Sequence, residues 1–290
     1  MFIGIDHGTT AMRFGGENGG FKIARDAAKE FSISDLSRIC PIDEIEGIAL
    51  CYSMGDNIAA VTNICRVKNR GIISRDGAGK HIGGGTAVFD AVAASGIPAV
   101  VIPGLHRGSP TDRRFKAYSH QTSPEKIGIA YEACHALGGD VVISDVSSNT
   151  VSLLVSSGKL VGAFDACIFA PGTAHGALDV DAIRKVDAGE WTANEAFQHA
   201  GVNFSLPEEE RVPALAMFAA MECAALRLLN RSAKVALAGS LAPAVAPEVQ
   251  KLLGCDVAVY DEWCASRGLA RIARDVFSGK NEILGLAVDL

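Results

Sequence analysis

The chain has 290 residues, of which 49% are hydrophobic and 21% are charged, a composition typical of globular proteins and not of disordered ones. Its 27 basic and 33 acidic residues leave a net charge of −6, which argues against a nucleic-acid partner because an acidic protein repels the phosphate backbone. No uncharged apolar run is long enough to cross a bilayer, so we expect no membrane partner either.

The residue pattern at the start of the chain predicts a three-stranded meander, a short helix and a buried strand. Turn residues such as Asn18-Gly19, which tolerate positive φ, separate the apolar runs. The expected elements are strands at 2–6, 11–15 and 20–24, a helix at 34–39 capped by Ser34, and a strand at 47–51. This order of elements is that of the opening of a ribonuclease-H-like domain.

The middle of the chain is less regular. Residues 66–86 are rich in Gly and basic residues and predict a loop, which is followed by a helix at 86–95 and a strand at 98–103. Residues 104–123 are polar and punctuated by Gly and Pro, so we place a domain boundary there. The predicted domains are 1–122 and 123–290.

The second half opens on a helix signature. Ser123 can cap the helix, and Pro124 loses no hydrogen bond at the first helical position. The elements expected after this helix are strands at 140–145, 150–155 and 160–164, a helix at 212–230, a strand at 234–238, a helix at 244–253, a strand at 256–260 and a helix at 263–277. Alternating strands and helices make the predicted fold class α/β.

The spacing of the cysteines and the character of the first residues indicate the cellular compartment of the protein. The eight cysteines include no Cys-x-x-Cys pair, which argues against a zinc ribbon or a redox motif. The first residues form a strand-like run that ends in Asp6, not a basic region followed by an apolar stretch, so we expect no secretory signal. These patterns predict a cytoplasmic protein.

A strand that ends in an acid and a run of small residues occurs at the N-terminus and predicts a phosphate-binding turn. Asp6 is followed by Gly8, Thr9 and Thr10. Glycine lets the backbone approach a ligand closely, and the neighbouring N–H and hydroxyl groups can donate to phosphate oxygens. Asp6 is a candidate catalytic and Mg²⁺-binding residue, since magnesium prefers oxygen ligands. An ordinary turn is the alternative.

The same pattern recurs in the second half, where Asp145 follows an apolar strand. Ser147 and Ser148 follow, and Ser147 stands where a glycine would be expected. These serines would have to offer side chains as well as backbone groups. Asp145 is the second candidate for catalysis and for Mg²⁺, and two such turns facing each other would hold a polyphosphate from both sides.

Further candidates come from three other segments. Gly84 and Gly85 open a predicted helix, whose N-terminus can hold an anion. Gly239 and Ser240 end a strand ahead of a helix and could lie beside an adenosine. His106 and Arg107 follow strand 98–103 at the predicted domain edge, where a guanidinium could steady a transferring phosphoryl group. A solvated loop or a routine turn is the alternative for each.

The two acidic turns, the Gly-Ser loop and the order of elements resemble the superfamily of actin, sugar and acetate kinases, and heat-shock ATPases. The matching segments are Ile5-Asp6-x-Gly8-Thr9, Ile143-x-Asp145-x-Ser147-Ser148 and Ala238-Gly239-Ser240. The resemblance implies two ribonuclease-H-like domains with ATP or ADP and Mg²⁺ in the cleft between them. Sugar kinases of this superfamily carry an Asp near the end of the first domain, whereas strand 98–103 here is followed by no carboxylate before Asp112.

At finer grain the chain resembles the methanogenesis marker protein 12 family of methanogenic archaea. The segments that carry this likeness are Asp6-His7-Gly8-Thr9-Thr10, Gly83-Gly84-Gly85-Thr86, Pro103-Gly104-Leu105-His106-Arg107 and Ser144-Asp145-Val146-Ser147-Ser148-Asn149-Thr150. The resemblance implies a cytoplasmic protein of an anaerobe, connected with methyl-coenzyme M reductase or its cofactors. It implies no particular reaction.

Three hypotheses follow. The first is a kinase or ATPase that binds nucleotide and an unknown small-molecule acceptor. The second is a nucleotide-responsive protein that acts on a partner enzyme during its assembly. The third is a degenerate member that binds no nucleotide, with Ser147 marking the lost site.

Overall fold

The computed structural model describes residues 1–8, 10–17, 19–51, 58–67 and 84–290. Thr9, Asn18 and most of the predicted loop 66–86 lie outside these residues. The strands are Phe2–His7 (β1), Ala11–Gly16 (β2), Gly19–Ala24 (β3), Gly47–Cys51 (β4), Val61–Asn63 (β5), Ala99–Ile102 (β6), Leu105–His106 (β7), His120–Thr122 (β8), Val141–Val146 (β9), Thr150–Ser156 (β10), Lys159–Phe164 (β11), Lys234–Ala238 (β12), Val257–Val259 (β13), Glu282–Ile283 (β14) and Leu286–Asp289 (β15).

The helices alternate with these strands through most of the chain. They are Gly84–Ala94 (α1), Glu125–Leu137 (α2), Val180–Asp187 (α3), Ala193–Gln198 (α4), Val202–Ser205 (α5), Glu208–Arg227 (α6), Ala242–Leu253 (α7) and Cys264–Phe277 (α8). Short 3₁₀ helices lie at Ala27–Glu30, Ile33–Arg38, Ile42–Glu44, Ile64–Arg66 and Arg113–Ala117. Within the described ranges, no helix has the length and apolar character needed to span a membrane.

Two sheets repeat one strand order. In the first, β3-β2-β1 form an antiparallel meander, and β4 and then β6 add in parallel beside β1. In the second, β11-β10-β9 form the meander, and β12 and then β13 add in parallel beside β9. This is the strand order of a ribonuclease-H-like domain, present twice. The predicted α/β fold of two such domains is confirmed.

Helices α2 and α8 and both sheets share one hydrophobic core. It includes Ile102 of β6, Ile143 of β9, Ile127 of α2 and Leu269 of α8, all fully buried. Small residues allow the close approach, since a Cβ added at Gly4 of β1 would lie 2.0 Å from the Ser266 carbonyl oxygen of α8. Helix α8 therefore lies directly on the first sheet.

The last strand also belongs to the first sheet. Strand β15 pairs in parallel with β5, with Val288 beside Val61. The residue pattern places α8 and β15 in the predicted domain 123–290, whereas both pack on the sheet that opens the chain. The boundary near residue 122 stays a prediction.

Some predicted element bounds were wrong. The helix expected at 212–230 spans Glu208–Arg227, with Pro207 at its N-cap position and the three glutamates in its first turn. The helix expected at 34–39 is a 3₁₀ helix capped by Ser32, whose backbone N–H donates to Asp35. Helices α3, α4 and α5 were not predicted, since polar residues interrupt the apolar periodicity there.

Candidate functional site

A cavity of about 260 Å³ lies where the carboxyl ends of β1, β9 and β12 meet. Residues of all three predicted segments line its walls: Asp6, Gly8 and Thr10 from the first turn, Asp145, Ser147 and Ser148 from the second, and Gly239 with Ser240 from the Gly-Ser loop. Ligands in α/β proteins bind outside the carboxyl ends of the strands. The fold thus brings together residues of the two acidic turns and of the Gly-Ser loop.

A larger hollow, of about 470 Å³, lies at the opposite ends of β12 and β13 beside Arg227 and Lys234. None of the acidic-turn residues lines it. Size alone would favour this hollow, but it lies at the amino ends of the strands and away from the paired acids. The smaller cavity is therefore the candidate site.

Close backbone contacts shape the first turn. Asp6 lies opposite Arg13 in the β1–β2 ladder, and the Arg13 guanidinium is 3.5 Å from Asp6 Oδ2. A Cβ at Gly8 would lie 2.7 Å from the Ala11 carbonyl oxygen, so this tight turn needs glycine. Arg25 donates from its guanidinium to the Gly8 carbonyl at 2.7 Å and from its backbone to Thr10. These contacts hold the turn at the edge of the cavity.

The loop after β11 is hydrogen-bonded to the second turn. The backbone N–H of Thr173 donates to the Ser147 carbonyl at 3.0 Å, and that of Ala174 donates to the Ser148 carbonyl at 3.1 Å. Gly172 permits this packing, because a Cβ there would lie 2.2 Å from the Ser148 oxygen. The backbone of Ser147 does not have a positive φ. Serine at this position therefore imposes no backbone strain on the turn.

The first turn of α2 adds two site residues that the sequence reasoning missed. Lys126 Nζ donates to Asp145 Oδ2 at 2.6 Å and lies 3.0 Å from Glu125 Oε1. Glu125 also accepts from the Ser123 hydroxyl at 2.6 Å. Both charged side chains line the cavity and are nearly buried. Glu125 thus gives the cavity a third carboxylate. Asp112, the first acid after strand 98–103, pairs with Arg114 on the surface instead.

Burial dominates the electrostatics of the site. It raises the pKa of Asp6 to about 7, with Glu125 adding to the effect and Arg13 and Lys126 opposing it. Burial also lowers the Lys126 pKa, but Asp145 and Glu125 outweigh it and hold that pKa well above its usual range. A carboxyl with a pKa near 7 is only half ionised at neutral pH. Further positive charge in the cavity would complete the ionisation of Asp6.

The two aspartates have the character of metal ligands. Asp6 Oδ1 and Asp145 Oδ1 are buried and have no hydrogen-bond partner within the described part of the chain. In that part, no group of three or more His, Cys, Asp or Glu side chains is placed to hold a metal ion by itself. Mg²⁺ is commonly bound by one or two carboxylates together with waters and substrate phosphates. The pair Asp6 and Asp145 fits that mode.

Four predicted site residues do not line the cavity. Gly85 packs against His7, since a Cβ there would lie 2.0 Å from His7 Nε2, and Gly84 packs against Arg25, whose carbonyl oxygen would lie 2.3 Å from a Cβ. His106 Nε2 lies 3.1 Å from the Ile58 carbonyl oxygen, and Arg107 is exposed and donates to the Lys116 carbonyl. Thr9 lies outside the described residues.

Two sheets that share a five-strand order, with an aspartate at the equivalent strand end of each, define the class: this is an actin-like ATPase fold. A propionate kinase from Francisella tularensis shares it with a TM-score of 0.59 and 10% identity, over 94% of this chain and 98% of that one. An acetate kinase from Porphyromonas gingivalis gives 0.56 and 12%, over 92% and 89%. A ROK family glucokinase from Streptomyces griseus, solved with glucose and AMPPNP, gives 0.50 and 15%, over 94% and 99%. At such identities the likeness shows the fold alone.

The chain belongs to the UPF0285 family. It is 45% identical to the UPF0285 protein of Methanosarcina mazei, over 99% of both chains. Identity is 41% to the relative in Methanococcus maripaludis and 40% to that in Methanothermobacter thermautotrophicus, each over 100% of this chain and 99% of the relative. No model of a known protein family matches the sequence.

Proposed function

We propose that this protein binds ATP or ADP together with Mg²⁺ in the cavity and acts in the cytoplasm as a small-molecule kinase or an ATPase. One observation carries the proposal: Asp6 and Asp145 each present a buried, unpartnered oxygen within the described residues, from equivalent strand ends of two sheets with the same five-strand order. Buried polar atoms are normally satisfied, so such a pair favours a ligand that supplies positive charge.

Each part of the site has a role in this proposal. Asp6 and Asp145 would hold Mg²⁺, which neutralises phosphate charge when bound. Thr9, Thr10, Ser147 and Ser148 would donate to phosphate oxygens, while Gly239 and Ser240 would lie beside the adenosine. Sites of this kind act mainly by positioning and by stabilising charge. His106 and Arg107 remain a proposal for the acceptor side, as do Gly84 and Gly85 for an anion.

Titration with nucleotide tests the binding step. We expect MgATP and MgADP to raise the melting temperature by several degrees, since ligand at a hundred times its Kd stabilises the native state by about 2.7 kcal/mol. Asp6→Asn should abolish the magnesium-dependent part of the shift, measured by differential scanning fluorimetry and isothermal titration calorimetry. The control is Asp181→Asn, an exposed acid on α3. An unchanged response in Asp6→Asn would remove Asp6 from the site.

A second variant tests where the nucleotide lies. Gly239 has φ +94°, and a Cβ there would lie 2.1 Å from Asp145 Oδ1. Gly239→Ala is expected to weaken MgADP binding at least tenfold and to destabilise the fold by about 1–3 kcal/mol, because the new methyl group displaces the carboxylate. Gly254→Ala is the matched control, since Gly254 has φ +62° and open space around its Cβ. Equal nucleotide affinities in the two variants would contradict the assignment.

A nucleotide-responsive assembly protein is the second candidate. Two exposed apolar side chains, Met217 and Met221, lie on one face of α6, and Phe169 is also exposed. Exposed apolar surface of this kind favours a protein partner. The three relatives named above come from methanogenic archaea, which fits the marker protein 12 resemblance and a role linked to methanogenesis. Phosphate release or a phosphorylated metabolite would support the enzyme, whereas binding without turnover would support this alternative.

A further inference from the structure

Lys126 occupies an unusual place for a lysine. Its side chain is 6% exposed, and its ammonium group contacts Asp145 at 2.6 Å and Glu125 at 3.0 Å, side chains that are 8% and 14% exposed. An isolated charge is costly to bury, so a lysine in this position is normally paired. Here the pairing partner is one of the two aspartates proposed to hold the metal.

The charges in the cavity would be unbalanced without this ammonium. Asp6, Glu125 and Asp145 approach one another across the cavity. The Arg13 guanidinium lies 3.5 Å from Asp6 but is shared with Glu262, at 3.3 Å. Arg25 acts on Asp6 and Glu125 without an ion pair to either in the described part of the chain. Among the described residues, Lys126 is thus the cation in direct contact with both Asp145 and Glu125, and it neutralises carboxylates that a divalent cation would otherwise neutralise.

The ammonium group still has donor capacity. It carries three N–H groups, of which the contacts with Asp145 and Glu125 use two. Lysine is a common phosphate ligand as a point charge. A polyphosphate in the cavity can therefore accept from Lys126 and reduce its attraction for Asp145.

We propose that Lys126 is an internal counter-ion that competes with a divalent cation for Asp145 and yields to it when a polyphosphate binds. The inference rests on the proposed nucleotide site and specifies how that site couples its two ligands. Without nucleotide, the cavity binds Mg²⁺ weakly because Lys126 already neutralises the carboxylates. With nucleotide, Lys126 donates to phosphate and Asp145 becomes available to the metal.

Lys126→Met separates the two effects, because methionine keeps much of the side-chain length and removes the charge. We expect affinity for Mn²⁺ alone, used as a spectroscopic probe for Mg²⁺, to rise at least tenfold in electron paramagnetic resonance titrations. We expect affinity for MgADP, measured by calorimetry, to fall at least tenfold. Lys251→Met is the control, since Lys251 pairs with Glu248 on the surface and is 75% exposed.

Glu125→Gln tests the competition in the opposite direction. It is isosteric and leaves Lys126 held by Asp145 alone, so the ammonium should compete more strongly. Affinity for Mn²⁺ alone should therefore fall, at least threefold, where Lys126→Met raises it. Because losing the Glu125 carboxylate weakens cation binding by itself, Lys126→Gln repeats the decisive test if Lys126→Met fails to fold, which circular dichroism would show; glutamine also removes the charge but keeps a hydrogen-bond donor for Asp145.

The outcomes separate this inference from the proposed function. Opposite shifts of Mn²⁺ and MgADP affinity in Lys126→Met support the inference. If the natural protein binds MgADP but both affinities in Lys126→Met stay unchanged or move together, the inference is overturned and the function stands. If the natural protein binds no nucleotide, the proposed function fails, and the Mn²⁺ titrations alone show whether Lys126 competes with metal.

Discussion

Gly268→Val is expected to lower the free energy of unfolding by about 3 kcal/mol or more. A Cβ at Gly268 would lie 1.9 Å from the Gly128 carbonyl oxygen and 2.7 Å from its carbon, where α8 crosses α2. The obstructing atoms are backbone, so relief requires the two helices to move apart. Because these helices share a core with both sheets, the separation would disturb packing throughout the molecule.

Urea unfolding followed by circular dichroism measures this effect. Ala136→Val is the control, since Ala136 is exposed on α2 and the change places the same β-branched side chain in a helix without the contact. Gly268→Ala sharpens the test. Alanine normally stabilises a helix by about 1 kcal/mol relative to glycine, so destabilisation here would reverse the usual sign. If Gly268→Ala is more stable than the natural protein, α8 and α2 lie further apart than the 1.9 Å contact implies, and the prediction is wrong.

Glu222→Gln is expected to stabilise the protein by a few kcal/mol at about pH 8.5 and to change little at about pH 5. Glu222 lies on α6 with no solvent exposure, and its Oε1 accepts from the Ala170 N–H at 3.1 Å. Burial raises its pKa to about 8, although contacts with Ser152 and Ala170 act in the opposite direction. Glutamine is isosteric and keeps the acceptor oxygen without any ionisation.

The sign of this effect follows from proton binding. Between its unfolded pKa of 4.5 and its folded pKa of about 8, Glu222 holds a proton in the folded chain and loses it in the unfolded chain. Its contribution to stability therefore falls by about 1.4 kcal/mol per pH unit as the pH rises through this window. Glu222→Gln removes that slope. Each kcal/mol corresponds to about 2–4 °C in melting temperature for a chain of this size class.

Melting curves at several pH values, with Glu209→Gln as the control, check this prediction. Glu209 is exposed on the same helix. Parallel pH profiles for Glu222→Gln and the natural protein would mean that Glu222 is ionised in the fold, and that its burial costs less than the structure indicates.

The acids at the strand ends could be predicted from sequence because their signal is local. Asp6 and Asp145 each close an apolar strand, and the parallel pairing of β9 with β12 brings Gly239 beside Asp145. Lys126 and Glu125 could not be found this way. Adjacent charged residues at the start of a helix are usually solvated, and only the packing of α2 between the sheets buries this pair.

Long-range contacts account for the other failures. Nothing in the local pattern of residues 264–289 indicates which sheet they join, and the close approach of Gly4 to α8 is visible only once the chain is folded. The sequence pattern would place a glycine at position 147, but the serine there causes no backbone strain in the structure. Its turn is held by backbone hydrogen bonds from Thr173 and Ala174 and needs no glycine conformation.

The pairing of β15 with β5 has a consequence for how the chain matures. During synthesis the ribosome delivers β5 before the whole second sheet and β15 after it. The edge of the first sheet therefore stays open until the second sheet has emerged, and α8 covers β1 only then. Sequential folding of one finished half after the other is not available to this topology. The first sheet gains β15 and its cover of α8 only after residues 264–289 have been synthesised.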